Sequence, residues 1–162
     1  MAEFFYTEHF ILESHDKPFV SRADGGHLRI RVKDRSITDR TKLSPSVAVE
    51  LMRLSMLAGE ALETAMNRRG IPVVKVNYHD MGNWAWKTGE KPFLHIHIFG
   101  RSKDAEHQKF PEAVYLPDRS SGFYDGFEPL SEEDIKEIQE EITSLEKTER
   151  YNQDAWRLMS LE

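Results

Sequence analysis

Apolar and polar residues alternate along three segments of the chain, with the two-residue period of strands that bury one face. In the first segment, residues 28–33, aliphatic side chains occupy the even positions and cations the odd positions. The same period recurs in residues 73–80 and 93–101, and a short apolar run at residues 9–12 is typical of one more strand. The pattern therefore predicts β-strands in all four segments.

Hydrophobic residues at intervals of three and four predict two helices. The first helix is long, with Ser44 placed as its N-cap, Pro45 at its first position and Gly70 as its C-terminal stop. The second helix lies near the C-terminus, where Ser131 as N-cap and Asp134 three residues later form a start signal. The chain is therefore predicted to be α+β, a mainly antiparallel sheet of about five strands carrying one long helix, with a second helix at the C-terminus.

Composition and charge restrict the classes of function. A chain of 162 residues with 39% hydrophobic residues is predicted to fold around one core. Its net charge of -6 disfavours wholesale binding to nucleic acid or to an anionic membrane, although a local basic pocket is compatible with it. Without cysteine there are no disulfides, thiolate metal sites or cysteine nucleophiles. We expect an untargeted cytoplasmic protein, because no apolar segment has signal-peptide or membrane-spanning length.

Two histidines carry the clearest chemical signal. His95 and His97 stand two residues apart on a predicted strand, so both imidazoles lie on one face. They are compatible with a structural pair, with a metal clamp completed by His27, His79 or Asp80, or with phosphate chemistry in which one imidazole attacks phosphorus. The spacing alone does not separate these three interpretations.

The residues around the pair resemble a known family. The run LHIHIFGR, residues 94–101, resembles the signature strand of the histidine-triad (HIT) superfamily of nucleotide hydrolases and transferases, His-φ-His-φ-His-φ-φ followed by Pro or Gly and often Arg. Residues 26–52 are similar to the family's Gly-His strand, loop and Leu-Ser-Pro helix start, and residues 76–89 fall where the family has its asparagine strand and glycine loop. The resemblance spans roughly residues 1–105 and implies a HIT-like fold.

This resemblance sets the expected organisation of the chain. We expect a HIT-like domain at residues 1–112 and a C-terminal extension at residues 113–162, whose helix packs on the same domain. Residues 102–129 have no clear period and are predicted to wrap over the surface. The family commonly pairs as two-fold dimers, so the resemblance also implies a homodimer.

The sequence has only two of the three triad histidines, and two alignments are possible. Matching residues 98–101 to the end of the motif makes His95 the central histidine and His97 the third, with Phe93 in the first place. Matching from the front makes His95 the first histidine and His97 the central one, and puts Phe99 in the third place. We prefer the first alignment because it keeps the two hydrophobic residues and the Gly-Arg pair that follow the last histidine.

The family chemistry implies a function. Its central histidine attacks the α-phosphorus and forms a nucleotidyl-imidazole that water then hydrolyses. The chain is therefore expected to be a nucleotide hydrolase or nucleotidyl transferase acting on a dinucleoside polyphosphate or a nucleoside phosphoramidate. His95 would be the nucleophile, and His97 would stabilise charge on the phosphate oxygens. The alternatives are a weak or inactive nucleotide-binding module and a histidine-based metal protein.

The resemblance also implies substrate contacts. His27 is expected as a phosphate-side ligand, Asn77 or Asn83 as the amide contact and Arg101 as a further phosphate contact. No cofactor is expected to be required, although a divalent metal is possible around the leaving phosphates. Four further residues have both a functional and an ordinary structural interpretation: Arg29, Arg31, Trp84 and Trp86. Three other histidines carry no motif and are assigned to the surface: His9, His15 and His107.

Overall fold

The alternating segments pair as one antiparallel sheet in the computed structural model of the protein, which describes residues 1–157. Within that range the sheet has five strands in the order β1-β2-β3-β5-β4, and each strand is antiparallel to its neighbours. The strands are β1 (Glu3–Tyr6), β2 (Phe10–Ser14), β3 (His27–Val32), β4 (Val73–Asp80) and β5 (His95–Ser102).

The helices are α1 (Pro45–Arg68), the single turn α2 (Ala85–Thr88) and α3 (Glu132–Leu145). The two long helices, α1 and α3, pack on one face of this sheet, and α2 lies beside the opposite face. Short 3-10 turns lie at Arg22–Asp24, Arg40–Lys42, Arg119–Ser121 and Gln153–Trp156. None of the helices in residues 1–157 combines the length and the apolar character that crossing a membrane requires.

The main core lies between α1 and the sheet. The even-numbered aliphatic residues of β3 and β5 point toward α1, as the alternation predicts, and Ile30 and Ile98 are fully enclosed. Leu54 and Leu62 of α1 are buried against them. Burying each such leucine stabilises the fold by roughly 1.5–3 kcal/mol. The periodicity of the sequence therefore identifies the elements and also the faces that pack together.

The C-terminal helix joins the same core. Ile138 and Ile142 of α3 are buried with the hydrophobic residues of α1. Its first turn has the predicted capping box, in which Ser131 and Asp134 exchange hydrogen bonds. The Asp134 carboxylate is fully enclosed and also accepts hydrogen bonds from Arg22 at 2.5 Å and from Arg69 at 3.0 Å. This carboxylate therefore connects α3 to the β2–β3 connection and to the end of α1.

The structure confirms the predicted α+β sheet and both predicted helices, and it differs in detail. β5 begins at His95, two residues after the predicted start. β1 was not predicted, because its aromatic pair Phe4–Phe5 interrupts the alternation and the strand lies at the sheet edge. Ser44 precedes α1 as expected, yet its side chain forms no capping hydrogen bond.

Gly25 and Gly100 allow the β2–β3 connection to approach β5 closely. The Gly100 amide donates to the Gly26 carbonyl at 3.0 Å. A Cβ atom at Gly100 would overlap the carbonyl oxygen of Gly25, and that oxygen belongs to rigid backbone rather than to a flexible side chain. The glycine that follows the histidines in the sequence is therefore required by backbone packing.

We expect Gly100→Ala to destabilise the protein by about 1–3 kcal/mol or more, because the backbone of Gly25 or β5 must shift to make room. Urea unfolding followed by circular dichroism measures this change. Lys75→Ala, on an exposed position of β4, is the control and should change stability by less than about 0.5 kcal/mol. Equal stability of Gly100→Ala and wild type would contradict the close approach.

Candidate active site

The face of the sheet turned away from α1 carries a cluster of imidazoles. In the β3–β5 pairing, His27 is opposite Phe99 and Arg29 is opposite His97. In the β4–β5 pairing, His79 is opposite His97. Cross-strand partners on one face lie about 4.5–5.5 Å apart, so antiparallel pairing alone gathers side chains from three strands around His97.

His95 is oriented by a backbone carbonyl. Its Nδ1 lies 2.9 Å from the carbonyl oxygen of Phe93. Because a carbonyl oxygen only accepts hydrogen bonds, Nδ1 must carry the ring proton. In the neutral ring Nε2 then has a free lone pair, and the half-buried ring lines an open cleft. His95 therefore has the tautomer that a nucleophile or a general base requires.

His97 is held in the opposite tautomer by His27. The amide N–H of Phe19 donates to Nδ1 of His27 at 3.1 Å, so the proton of the neutral His27 ring is on Nε2. That Nε2 lies 2.8 Å from Nδ1 of His97 and donates to it. The proton of a neutral His97 is then on its own Nε2. The Phe19–His27–His97 relay therefore makes His97 a hydrogen-bond donor at the nitrogen that His27 leaves free.

Burial keeps these rings neutral. His27 is 1% exposed and His97 is 4% exposed, and this desolvation holds the pKa of both rings well below the usual value, with a smaller contribution from the neighbouring imidazoles. Burial also lowers the pKa of His95, partly offset by the hydrogen bond to Phe93. The tautomers described above are therefore those of the neutral rings present near pH 7.

His15 extends the cluster, although the sequence placed it at the surface. Its ring is half-buried and stacks on His27 with centroids 4.7 Å apart and planes 12° from parallel. Its Nδ1 accepts the Lys17 amide at 3.1 Å. Burial, with help from the charges of Arg29 and Arg119, lowers the pKa of His15 from 6.5 to about 4. The assignment of His15 to the surface is corrected, because the β2–β3 connection turns it onto the sheet.

A cleft of about 660 Å³ opens above His95 and His97. One wall is aromatic, with the rings of Phe19 and Trp84 in edge-to-face contact at 5.6 Å. Arg29 lies in the lining and is paired with Glu13 at 2.5 Å. Volumes of about 300–1,000 Å³ are usual for small-molecule sites. The cleft therefore offers imidazoles and a guanidinium beside an aromatic wall, in a volume suited to a small molecule.

Three of the six expected site residues line this cleft: His95, His97 and Asn83. His27 lies behind His97 with both ring nitrogens engaged, so it positions a neighbour instead of facing a ligand, in contrast to the expectation. Arg101 is also buried, and it donates to the Asn77 amide oxygen at 2.8 Å. Neither Arg101 nor Asn77 belongs to the cleft lining.

Arg101 has a structural role in this arrangement. Its guanidinium donates to the backbone carbonyls of Gln108, Lys109 and Glu112 at 3.3, 3.3 and 2.8 Å. The alternating pattern correctly placed Arg101 on the histidine face, but alternation does not report depth. The guanidinium is covered by the segment whose carbonyls it binds.

Cleft residues that the sequence reasoning missed come from the β2–β3 connection and from the connection between β5 and α3. Lys17, Phe19, Leu116 and Arg119 all line the cleft, and none stands in a periodic pattern or a motif. Of the two tryptophans in the β4–β5 connection, Trp84 lines the cleft, whereas Trp86 is 77% exposed. Irregular connections determine the positions of these residues, so only the folded structure shows which of them come together at the cleft.

A different part of the molecule gathers possible metal ligands. Within residues 1–157, one group of three has its donor atoms within 4.8 Å of one another, and it consists of Glu8, His9 and Glu50. His9 and Glu50 already bind each other at 2.7 Å. The β5 histidines do not form such a group with His27, His79 or Asp80 in the described part of the chain.

Solved structures share this architecture. A histidine triad (HIT) protein from Sinorhizobium meliloti superposes with a TM-score of 0.59 at 17% identity, over 85% of this chain and 84% of that chain. A zinc-bound histidine triad family protein from Mycobacterium smegmatis superposes with a TM-score of 0.56 at 14% identity, over 89% of this chain and 85% of that chain. A hypothetical histidine triad nucleotide-binding protein from Sulfolobus tokodaii superposes with a TM-score of 0.55 at 15% identity, over 88% of this chain and 84% of that chain.

These similarities identify the HIT-like fold of the chain, as the sequence motif predicted. No protein-family model matches the sequence, and no curated protein matches it. At such low identity the fold is shared while the residues of each site are the chain's own. The chemistry of the cleft is therefore argued from its geometry.

The depressed pKa of His15 predicts a loss of stability in mild acid. The unfolded ring titrates near 6.5 and the folded ring near 4, so the unfolded state binds more protons between these values and stability falls as pH falls. From pH 7 to pH 5 this ring alone should account for about 2 kcal/mol. Urea unfolding at both pH values should show a smaller difference for His15→Asn than for wild type. An unchanged difference would contradict the prediction. Between pH 7 and pH 8 the free energy of unfolding of both proteins should stay constant.

Proposed function

We propose that the protein is a nucleotide hydrolase or nucleotidyl transferase in which Nε2 of His95 attacks the α-phosphorus of a nucleotide conjugate. The observation that carries this proposal is the opposite tautomers of two neighbouring imidazoles. The Phe93 carbonyl leaves a lone pair on Nε2 of His95, and the Phe19–His27–His97 relay leaves a proton on Nε2 of His97. A nucleophile and an electrophilic partner thus stand side by side, with ring centroids 4.9 Å apart.

The reaction divides into two displacements. In the first, the Nε2–P bond forms as the bond from phosphorus to the leaving group breaks, and its electron pair departs with the leaving group. In the second, a water oxygen attacks phosphorus, the P–N bond breaks and its electron pair returns to Nε2, and the proton that the water loses passes to the solvent. The net change is hydrolysis to a nucleoside monophosphate. Another acceptor in place of water gives nucleotidyl transfer.

His97 supports the transition state through its free N–H. As phosphorus gains its fifth ligand, negative charge builds on the non-bridging oxygens, and a donor fixed in place stabilises that charge. Removing one such donor typically costs about 10²–10³ in rate. The buried bond to His27 fixes both the orientation and the proton of His97 before substrate arrives. Arg29, across the β3–β5 pair from His97, also lines the cleft, but Glu13 neutralises its charge.

The phenylalanine in the first triad position is compatible with turnover. The group that orients His95 is the main-chain carbonyl of Phe93, which any residue at that position supplies. The Phe93 ring itself lines the cleft and lies under the guanidinium of Arg35, 4.6 Å away. The backbone bond favours an active enzyme over a binding module that has lost turnover.

Recognition of a nucleoside is supported by the other wall of the cleft. Trp84 and Phe19 offer an aromatic surface for a base, and Asn83 offers an amide for hydrogen bonding. A base stacked on an aromatic side chain gains about 1–3 kcal/mol. One of the structurally similar proteins is described as nucleotide-binding, which agrees with this use of the cleft.

Product formation from diadenosine triphosphate and adenosine phosphoramidate tests the mechanism. We expect AMP release that persists with a chelator, because every group that carries the attack belongs to the protein. His95→Ala should lower the rate at least about 10³-fold, and His97→Ala about 10²–10³-fold. Quenching the reaction with an alkaline denaturant, in which the P–N bond survives, should trap phosphorus on His95 in wild type and not in His95→Ala.

His107→Ala, on a half-exposed histidine outside the cleft lining, is the matched control and should keep the wild-type rate. A larger loss with His97→Ala than with His95→Ala would move the nucleophile to His97. Binding of AMP without turnover of either substrate would favour the nucleotide-binding module. Activity that disappears with chelator and returns with a divalent cation would give a metal a role in the reaction.

We also propose that two copies associate, as the family resemblance implies, and that they meet through β4. β4 is the last strand of the sheet on that side, and Val74 and Tyr78 are 46% and 47% exposed along it. Sedimentation equilibrium should then give twice the chain mass of 18.9 kDa. Val74→Lys should shift the mass toward one chain, and a wild-type monomer at tens of micromolar would contradict the pairing.

A further inference from the structure

The long connection between β5 and α3 is fastened over the histidine face by buried polar groups. The Asp24 carboxylate accepts the amides of Glu106, His107 and Gln108 at 2.9, 3.1 and 2.8 Å. The Gln108 side chain in turn binds both main-chain polar groups of Tyr115, at 2.8 and 2.9 Å. These bonds set the course of the chain that brings Arg119 to the cleft.

Arg119 lies on an aromatic surface with most of its donors free. Its guanidinium carbon is 4.3 Å from the ring centroid of Phe19 and 5.2 Å from that of Tyr124. One Nη donates to the Lys17 carbonyl at 2.8 Å. An arginine has five N–H donors, and stacking on a ring face leaves the planar edge of the guanidinium available. These contacts therefore fix the position of Arg119 and leave most of its N–H groups free to bind a ligand.

No carboxylate neutralises Arg119 in the described part of the chain. The adjacent Asp118 pairs with Lys87 at 2.5 Å, and its other oxygen binds the Ser120 amide at 3.0 Å. Among the other charges of the cleft, Arg29 is neutralised by Glu13 and Asp80 binds Arg40 at 2.7 Å. A chain with a net charge of -6 thus keeps an uncompensated arginine at its proposed active site.

The position of Arg119 relates it to the reacting groups. Arg119 and His97 contact the same ring: the guanidinium carbon of Arg119 is 4.3 Å from the centroid of Phe19, and that centroid is 5.6 Å from the centroid of His97. Lys17 lines the same cleft, and its carbonyl is the group that Arg119 binds. Arg119 and Lys17 therefore line the same cleft as the imidazole assigned to the α-phosphate.

We propose that Arg119, assisted by Lys17, is a specificity-determining residue that binds the leaving group of the reaction, and that this leaving group is a phosphate anion. This inference rests on the proposed function and adds the class of conjugate, in which a phosphoanhydride joins the α-phosphate to further phosphates. When the P–O bond breaks, the departing oxygen takes the electron pair and gains negative charge. A guanidinium binds phosphate oxygens through two parallel N–H bonds, whereas an amine leaving group has no pair of acceptor oxygens for those bonds.

A comparison of two substrates measures this specificity. We expect Arg119→Gln to lower kcat/KM for diadenosine triphosphate about 10- to 100-fold and to change kcat/KM for adenosine phosphoramidate less than about threefold. Arg119→Lys keeps the charge but loses the paired N–H geometry, and it should recover part of the loss. Lys136→Gln removes the same charge from an exposed position of α3 and should behave as wild type. An equal loss on both substrates would overturn the inference while leaving the proposed function intact.

Binding of inorganic tripolyphosphate tests the anion site without turnover. Isothermal titration calorimetry should show binding to wild type and to Lys136→Gln, and binding at least about tenfold weaker to Arg119→Gln. Equal affinity in all three proteins would overturn the inference. Arg119-dependent binding without turnover of either substrate would instead count against the proposed hydrolase and leave the anion site standing. Near-ultraviolet circular dichroism checks that each variant keeps the packing around Phe19 and Tyr124.

Discussion

The hydrogen bond between Nε2 of His27 and Nδ1 of His97 is the contact on which the site depends. It is 2.8 Å long and buried between two rings whose nitrogens must not both carry protons or both lack them. The Phe19 amide resolves this choice, because an N–H next to Nδ1 of His27 leaves only one arrangement of neutral rings. The proton on the outward nitrogen of His97 is thus determined by a backbone group in the β2–β3 connection.

Backbone groups carry the orientation of both reactive imidazoles. The Phe19 amide acts through His27 on His97, and the Phe93 carbonyl acts directly on His95. Substitution of a side chain does not remove a backbone partner, so an incomplete histidine motif does not by itself imply lost chemistry. The close packing of Gly25 against Gly100 has the same basis, because it holds the β2–β3 connection, and with it the Phe19 amide, against β5.

The sequence predicts the sheet, both main helices and the face that carries the histidines, because the periodicity of apolar residues shows which way each side chain points. Residues 28–33 and 93–101 assign His95 and His97 to one side, and the structure agrees. The resemblance placed Arg101 and Asn77 at the ligand, and periodicity could not correct this because it does not show how deeply a side chain is buried. The two residues are instead bonded to each other outside the cleft lining. Nor does periodicity report which connections return over a face. Arg119 is far from the motif in sequence, and its place depends on buried bonds to Asp24 and Gln108.

Burial of neutral imidazoles ties stability to chemistry at this site. A histidine kept unprotonated by its surroundings can use its lone pair near neutral pH, and the same desolvation makes the folded state lose stability when protons become abundant. His15 and His27 share this cost because their rings stack and neither has a carboxylate partner among the described residues. A carboxylate there would relieve the acid sensitivity, yet its charge would also oppose a phosphate. Among residues 1–157, no carboxylate bonds to these rings or to Arg119, and this arrangement fits the binding of an anion in the cleft.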